Sequence, residues 1–157
     1  MLPDYEIVLG KGIGRILFGI SKEEMDEILG SPDEIEQSDD PARMDLETYC
    51  YNSIRCSFSF DPIFNGQLVE IFIENDCFHI CHKIRVGLKK HDLLKLGNEL
   101  NFGEHRIEEI VDEDLIPQEL ITFNNVGLQL LLDVGVISAI IIKPYVSEDF
   151  ISNFDRY

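Results

Sequence analysis

Basic residues are scarce in this chain. Lys and Arg number 13 against 30 Asp and Glu in 157 residues, a formal net charge of −17. A surface that binds a nucleic-acid duplex needs clustered Lys and Arg to neutralise phosphates, so this composition argues against nucleic acid as the partner. Long apolar runs are also missing. None approaches the ~20 residues of a membrane helix, so no membrane association is expected. The N-terminus, MLPDYEIVLG, has no basic segment leading into an apolar stretch. That predicts no signal peptide and a cytoplasmic location. Cysteine is limited to Cys50, Cys56, Cys77 and Cys81. A chain of this length can bury a core without staples, so the expectation is free thiols packed as small hydrophobes. What is present suits a folded domain: 45% of residues are hydrophobic, too many for a disordered acidic tail.

An internal repeat organises the chain. Phe18-Gly19-Ile20-Ser21-Lys22-Glu23-Glu24-Met25 in the first half is answered by Val86-Gly87-Leu88-Lys89-Lys90-His91-Asp92-Leu93 in the second. Both read as an apolar-Gly-apolar lead into a short amphipathic helix that stops at a glycine, Gly30 or Gly103, because glycine tolerates the positive φ just past a helix end. Ser21 with Glu24 forms a capping box, which starts the first helix near Lys22. Tyr51 to Asp61 matches Phe123 to Asp133 at an offset of 72 without a gap, and Val69–Ile73 matches Ser138–Ile142 at an offset of 69. Two tandem units account for this order.

Alternation assigns the strands and their faces. Cys56, Phe58 and Phe60 point one way, and Ser57 and Ser59 the other. Leu128, Leu130 and Leu132 share the inner face with Ile71, Ile73, Ile140 and Ile142, while Gln129 and Leu131 face outward. The spacing predicts strands near 33–38, 46–51, 54–60 and 68–74, then 105–111, 118–123, 127–132 and 136–143. Asn52-Ser53 and Asn124-Asn125 are expected hairpin turns, since Asn accepts left-handed angles. The fold class expected is α+β: two tandem helix-plus-antiparallel-strand repeats forming one continuous sheet with the helices on one face. Residues 13–76 and 77–143 are read as the two repeats of a single domain spanning 1–157, and 144–157 as a tail in which Ser147 is a candidate cap for a short helix through Phe154.

The motifs carry a family resemblance. An apolar-Gly-Ile-Ser-Lys-Glu-Glu lead, a helix ending in Leu29-Gly30-Ser31-Pro32, and the Tyr-x-Tyr and Phe-x-Phe strands over Tyr49–Tyr51 and Phe58–Phe60 resemble the beta-lactamase-inhibitor-protein-like fold. The same unit is similar to the small outer-membrane-assembly lipoprotein domains. The resemblance covers residues 13–143. It implies two units joined in one curved sheet whose concave face grips a partner protein. The second unit departs from the pattern, with Gly103-Glu104-His105 where Gly-x-Pro would stand. The inhibitor and the lipoproteins are exported, whereas no leader is read here. The analogy that remains is a bacterial, cytoplasmic inhibitor or immunity protein, non-enzymatic and without a cofactor.

Three motifs invite chemistry and fall short of its requirements. Gly10-x-Gly12-x-Gly14 follows a strand-like segment, but a dinucleotide fingerprint needs a helix to begin at the glycines, and the helix begins only at Ser21. A turn is expected instead. Cys77, His79, Cys81 and His82 offer soft ligands for zinc. As a strand, however, they would place the two cysteines ~13 Å apart, too far for one ion at bonds of ~2.3 Å. A metal or small-ligand domain built on Cys77–His82 is the alternative reading, and no metal site is assigned. A Cys–His nucleophile, with His79, His82, His91 or His105 as base, has no signature placing the pair together.

The acidic balance is the better functional sign. Residues 1–82 hold five basic and 17 acidic residues, net −12, and residues 83–157 hold eight and 13, net −5. Acidic charge speeds encounter with a basic protein, though it also serves plain solubility. The open sheet face is expected to carry Ser57, Ser59, Glu70 and Phe72, with Gln129 from the second unit. Tyr49 and Tyr51 join them as candidate aromatic anchors. Alternation alone fits core packing of the two tyrosines equally well. Asp39-Asp40, Glu108-Glu109 and Asp112–Asp114 are expected in loops or at strand ends.

Overall fold

Short amphipathic stretches alternate along this chain with runs of period two, and each takes the structure its period favours. The computed structural model describes residues 5–38, 46–111 and 116–144. Strands β1 (Ile7–Val8), β2 (Gly12–Ile13) and β3 (Ile16–Leu17) form a small antiparallel meander. Helix α1 (Lys22–Leu29) is followed by β4 (Glu34–Gln37), β5 (Glu47–Tyr51), β6 (Cys56–Asp61) and β7 (Gln67–Ile73). Helix α2 (Lys90–Glu99) is followed by β8 (Arg106–Ile110), β9 (Gln118–Phe123), β10 (Leu128–Asp133) and β11 (Val136–Ile142). The eight longer strands make one antiparallel sheet in the order β4-β5-β6-β7-β11-β10-β9-β8. The protein is therefore mixed α and β, with two helices and a large antiparallel sheet.

Register explains the core. Ile35, Tyr49, Phe58, Ile71, Ile142, Leu128 and Phe123 stand side by side across seven strands. Phe58, Ile71, Ile142 and Leu128 are wholly buried. Removing each such side chain from water contributes about 1.5–3 kcal/mol. Both helices contact this face. The Tyr51 hydroxyl donates to the Gly30 carbonyl at the end of α1 at 2.9 Å. The ring of Phe123 lies against Gly97 of α2, where a β-carbon would come within 2.9 Å of it. Glycine sits inside α2, at a helix-propensity cost of about 1 kcal/mol, because the helix approaches the aromatic ring so closely.

Equivalent irregularities occur in the two halves. The ladder between β6 and β7 shifts register at Ser59/Phe60, and that between β10 and β11 at Leu131/Leu132. The β6–β7 turn holds Asn65 and Gly66 at positive φ, and the β10–β11 turn holds Val134 and Gly135 there. Gly19 N–H donates to the Leu68 carbonyl at 3.0 Å, and Leu68 N–H to the Ile20 carbonyl at 2.9 Å. In the other half Gly87 N–H donates to the Ile137 carbonyl at 2.8 Å, and Ile137 N–H to the Leu88 carbonyl at 2.9 Å.

Several expectations need correction. α2 ends at Glu99, short of Gly103, and passes through Gly97. In the first hairpin turn Arg55, not Asn52 or Ser53, takes positive φ, and in the second Gly127 does, after a 3-10 turn over Asn124–Val126. Asn opens each turn instead of occupying its left-handed position. Gly10, Gly12 and Gly14 lie in the meander and its turns; Gly12, at φ 140°, packs so close to the Ile16 carbonyl that no β-carbon fits. Glu108 and Glu109 lie in the C-terminal half of β8. Asp39, Asp40, Asp112–Asp114 and the helix expected in the tail fall outside the described residues.

Candidate functional site

The face of the sheet opposite the helices carries a second set of rows. Glu34, Cys50, Ser57, Phe72, Ile141, Gln129, Thr122 and Arg106 line up across all eight strands. Beside them, Glu36, Thr48, Ser59 and Glu70 align over β4 to β7. With strands ~4.8 Å apart, Glu34 stands ~14 Å from Phe72 along its row. The β4–β7 part of this face is a shallow concavity of about 430 Å³, bordered by Glu34, Glu36, Glu70 and Glu74, with Phe72 in its lining. Four carboxylates and one half-buried aromatic ring thus line the same concavity.

Polar contacts keep this face ordered. The hydroxyls of Thr48 and Ser59 are 2.9 Å apart and bond to each other, which allows Ser59 to be 5% exposed without an unsatisfied group. Glu70 pairs with Lys143 at 3.6 Å, at the boundary between the two halves. Gln129 Nε2 donates to Thr122 Oγ1 at 3.3 Å. Burial pushes the Cys50 thiol up; Glu36 and Glu34 add to the shift and a hydrogen bond with Ser57 opposes it. A thiol held protonated at neutral pH is a poor nucleophile.

Of the residues singled out from sequence, Ser57, Ser59, Glu70, Phe72 and Gln129 do share this face. Tyr49 and Tyr51 do not, and this is a correction. Tyr49 pairs with Phe58 and Tyr51 with Cys56, which puts both rings in the helix-covered core at 8% and 5% exposure. Tyr49 packs on Phe60 and Tyr51 edge-on to Phe58, with ring centroids 5.1 and 5.7 Å apart. Sequence reasoning missed Glu34, Glu36, Thr48 and Cys50. The alternation of Glu34 and Glu36 was the available sign, but their position beside β5 depends on pairing.

The cysteine and histidine cluster is not a strand. Cys81 and His82 have φ of 53° and 60°, so the chain turns back on itself. His79 and His82 stack at 4.3 Å, and the His82 amide donates to His79 Nδ1 at 3.2 Å, occupying one ring nitrogen. Phe78 and Ile80 are buried between the exposed Cys77 and Cys81. All four cysteines are free thiols. Among the described residues no group of three His, Cys, Asp or Glu side chains is placed to hold a metal. His105 lies against Phe123 and His91 is exposed on α2. No helix among the described residues is long and apolar enough to cross a membrane.

No family model matches the chain, and no curated protein resembles it significantly in sequence. Solved structures similar to it include a DUF4309 family protein from Bacillus subtilis subsp. subtilis str. 168, with a TM-score of 0.51 at 12% identity over 86% of this chain and 88% of that one. An extracellular protein containing a SCP domain from Bacillus anthracis str. Ames gives a TM-score of 0.49 at 15% identity, over 80% of this chain and 43% of that one. The chain therefore spans under half the length of the latter. At 12% identity the DUF4309 likeness concerns the fold alone. Neither neighbour is described as beta-lactamase-inhibitor-like.

Proposed function

We propose that the chain is a non-enzymatic protein-binding module, an intracellular inhibitor or immunity protein that takes a basic partner protein on its open sheet face. The observation that carries this reading is the β4–β7 concavity, whose lining brings Glu34, Glu36, Glu70 and Glu74 together with Phe72. Carboxylates sharing a groove with an aromatic anchor suit protein recognition: the charges steer encounter and the ring, once covered, holds the complex.

The module is two copies of one helix-and-four-strand unit, residues 13–76 and 77–143, of the beta-lactamase-inhibitor-like kind. Several features support the duplication. The register shifts at Ser59/Phe60 and Leu131/Leu132 are 72 residues apart, the same offset as the sequence match. The left-handed pairs Asn65-Gly66 and Val134-Gly135 are 69 apart, again matching the sequence offset of that segment. The hydrogen bonds tying each helix lead to its fourth strand have the same pattern.

The test uses the immobilised full chain and lysate of its source organism. A basic protein retained in stoichiometric amount is expected. With that protein purified, E70Q/E74Q is expected to slow association roughly tenfold at low salt and to flatten its salt dependence. F72A is expected to speed dissociation at least about tenfold. Recovery of no protein, or binding indifferent to all three substitutions, would count against the reading.

A further inference from the structure

The two edges of the sheet differ in what they would do to a second copy. β4 and β8 each end the sheet among the described residues, so each presents one row of backbone N–H and C=O groups outward. All four residues of β4 and all five of β8 are exposed. Each edge also carries isoleucine on its helix-side face, Ile35 at 54% and Ile107 at 39% exposure.

Charge separates them. Two identical strands that pair antiparallel about a twofold axis perpendicular to the sheet must place residues of the same face opposite each other. Centred on Ile35, β4 would set Glu34 against Glu36 twice, like charge on like charge. Centred on Ile107, β8 would set Arg106 against Glu108 twice, Ile107 against Ile107, and His105 against Glu109. Moving that centre to Arg106, Glu108 or Glu109 opposes a charged residue with itself. Arg106 and Glu108 already pair with each other on the open face, 2.7 Å apart and about half exposed, so the same ion pair can be exchanged for two across a new strand boundary.

We propose that two copies of this chain join β8 to β8, in the register centred on Ile107, so that the sheet runs without a break through both. The occupant of this edge is a second copy because the strand is complementary to itself in one register and in no neighbouring one. The acidic groove over β4–β7 lies at the far edge of each copy, so both grooves stay open and the pair is bivalent. This inference does not depend on what the groove binds.

The experiment is sedimentation velocity on the full chain over a concentration series at physiological salt, where charges beyond ~8 Å are screened. A dimer with a dissociation constant on the order of 10 µM is expected for so short a paired edge. R106E places Glu opposite Glu108 and E108R places Arg opposite Arg106. Each alone is expected to weaken dimerisation at least about tenfold, and R106E/E108R together to restore it to within about threefold. I107K, which opposes Lys with Lys at the axis, is expected to give a monomer. A chain that stays monomeric throughout the series overturns the proposal. So does a dimer unchanged by R106E and I107K, which would place the interface elsewhere, and so does a failure of the double swap to restore what the single swaps remove.

Discussion

Tyr51 illustrates how one buried polar group ties two elements together. Its hydroxyl bonds to the Gly30 carbonyl, the position where α1 ends and the chain turns toward β4. Y51F removes that donor and leaves the carbonyl to find water, at a cost of about 1 kcal/mol in urea denaturation at neutral pH. The same hydroxyl sets an alkaline limit. Burial, with Asp26, Tyr49 and Asp33 adding to it, pushes Tyr51 from its ordinary 10 up to about 12. Burial, then Glu74, pushes Cys56 from 9 up to about 12. Between pH 9 and 12 the unfolded chain has lost protons that the folded chain keeps, so stability falls as pH rises through that window. Below pH 9 both states are protonated and these groups add no slope. Denaturation midpoints of the wild type are expected to decline from pH 9 upward, and those of Y51F and C56A to decline less.

At the scale of the element, α1 depends on its first turn. Ser21 Oγ accepts from the Glu24 amide at 3.2 Å, and Glu24 Oε1 accepts from the Ser21 amide at 3.3 Å. A helix of eight residues is too short to hold itself in water, so capping and the burial of Met25 carry it. S21A is expected to cost about 1 kcal/mol, read as a lower denaturation midpoint with an unchanged slope. α2 has no side-chain cap at Lys89 and instead anchors through Leu93 and Gly97 against the sheet. The first cap was legible from Ser21 and Glu24. The true end of α2 was not, because the helix stops at Glu99 and Asn101, at φ 57°, takes the left-handed position that Gly103 was expected to fill.

For the whole molecule, charge is the dominant surface property. A net −17 over 157 residues repels itself in the folded state, where the charges are closer than in the unfolded chain. The melting temperature is expected to rise by several degrees between about 10 mM and 300 mM sodium chloride as the Debye length shortens from ~30 Å to under 8 Å. A melting temperature that falls over that range would show that local ion pairs, such as Lys22–Glu47 and Lys90–Glu119, outweigh the general repulsion. The strand assignments and the serine-bearing open face were readable because period two is a property of each strand alone. The groove was only half readable, since β4 contributes two of its carboxylates and nothing in Glu34 or Glu36 says which strand they lie beside.

Local pattern by itself determined the eight strands, the first helix with its cap, and which residues within each strand share a side. It could do so because side-chain direction along a strand and spacing along a helix follow from backbone geometry one segment at a time. Tertiary structure decided how those sides match between strands. The turn at 52–55 pairs Tyr51 with Cys56, and that single register sends both tyrosines into the core and leaves Phe72 as the aromatic ring of the acidic groove. A shift of one residue would have reversed the assignment, and only the burial of one whole face of the sheet against the helices selects between the two.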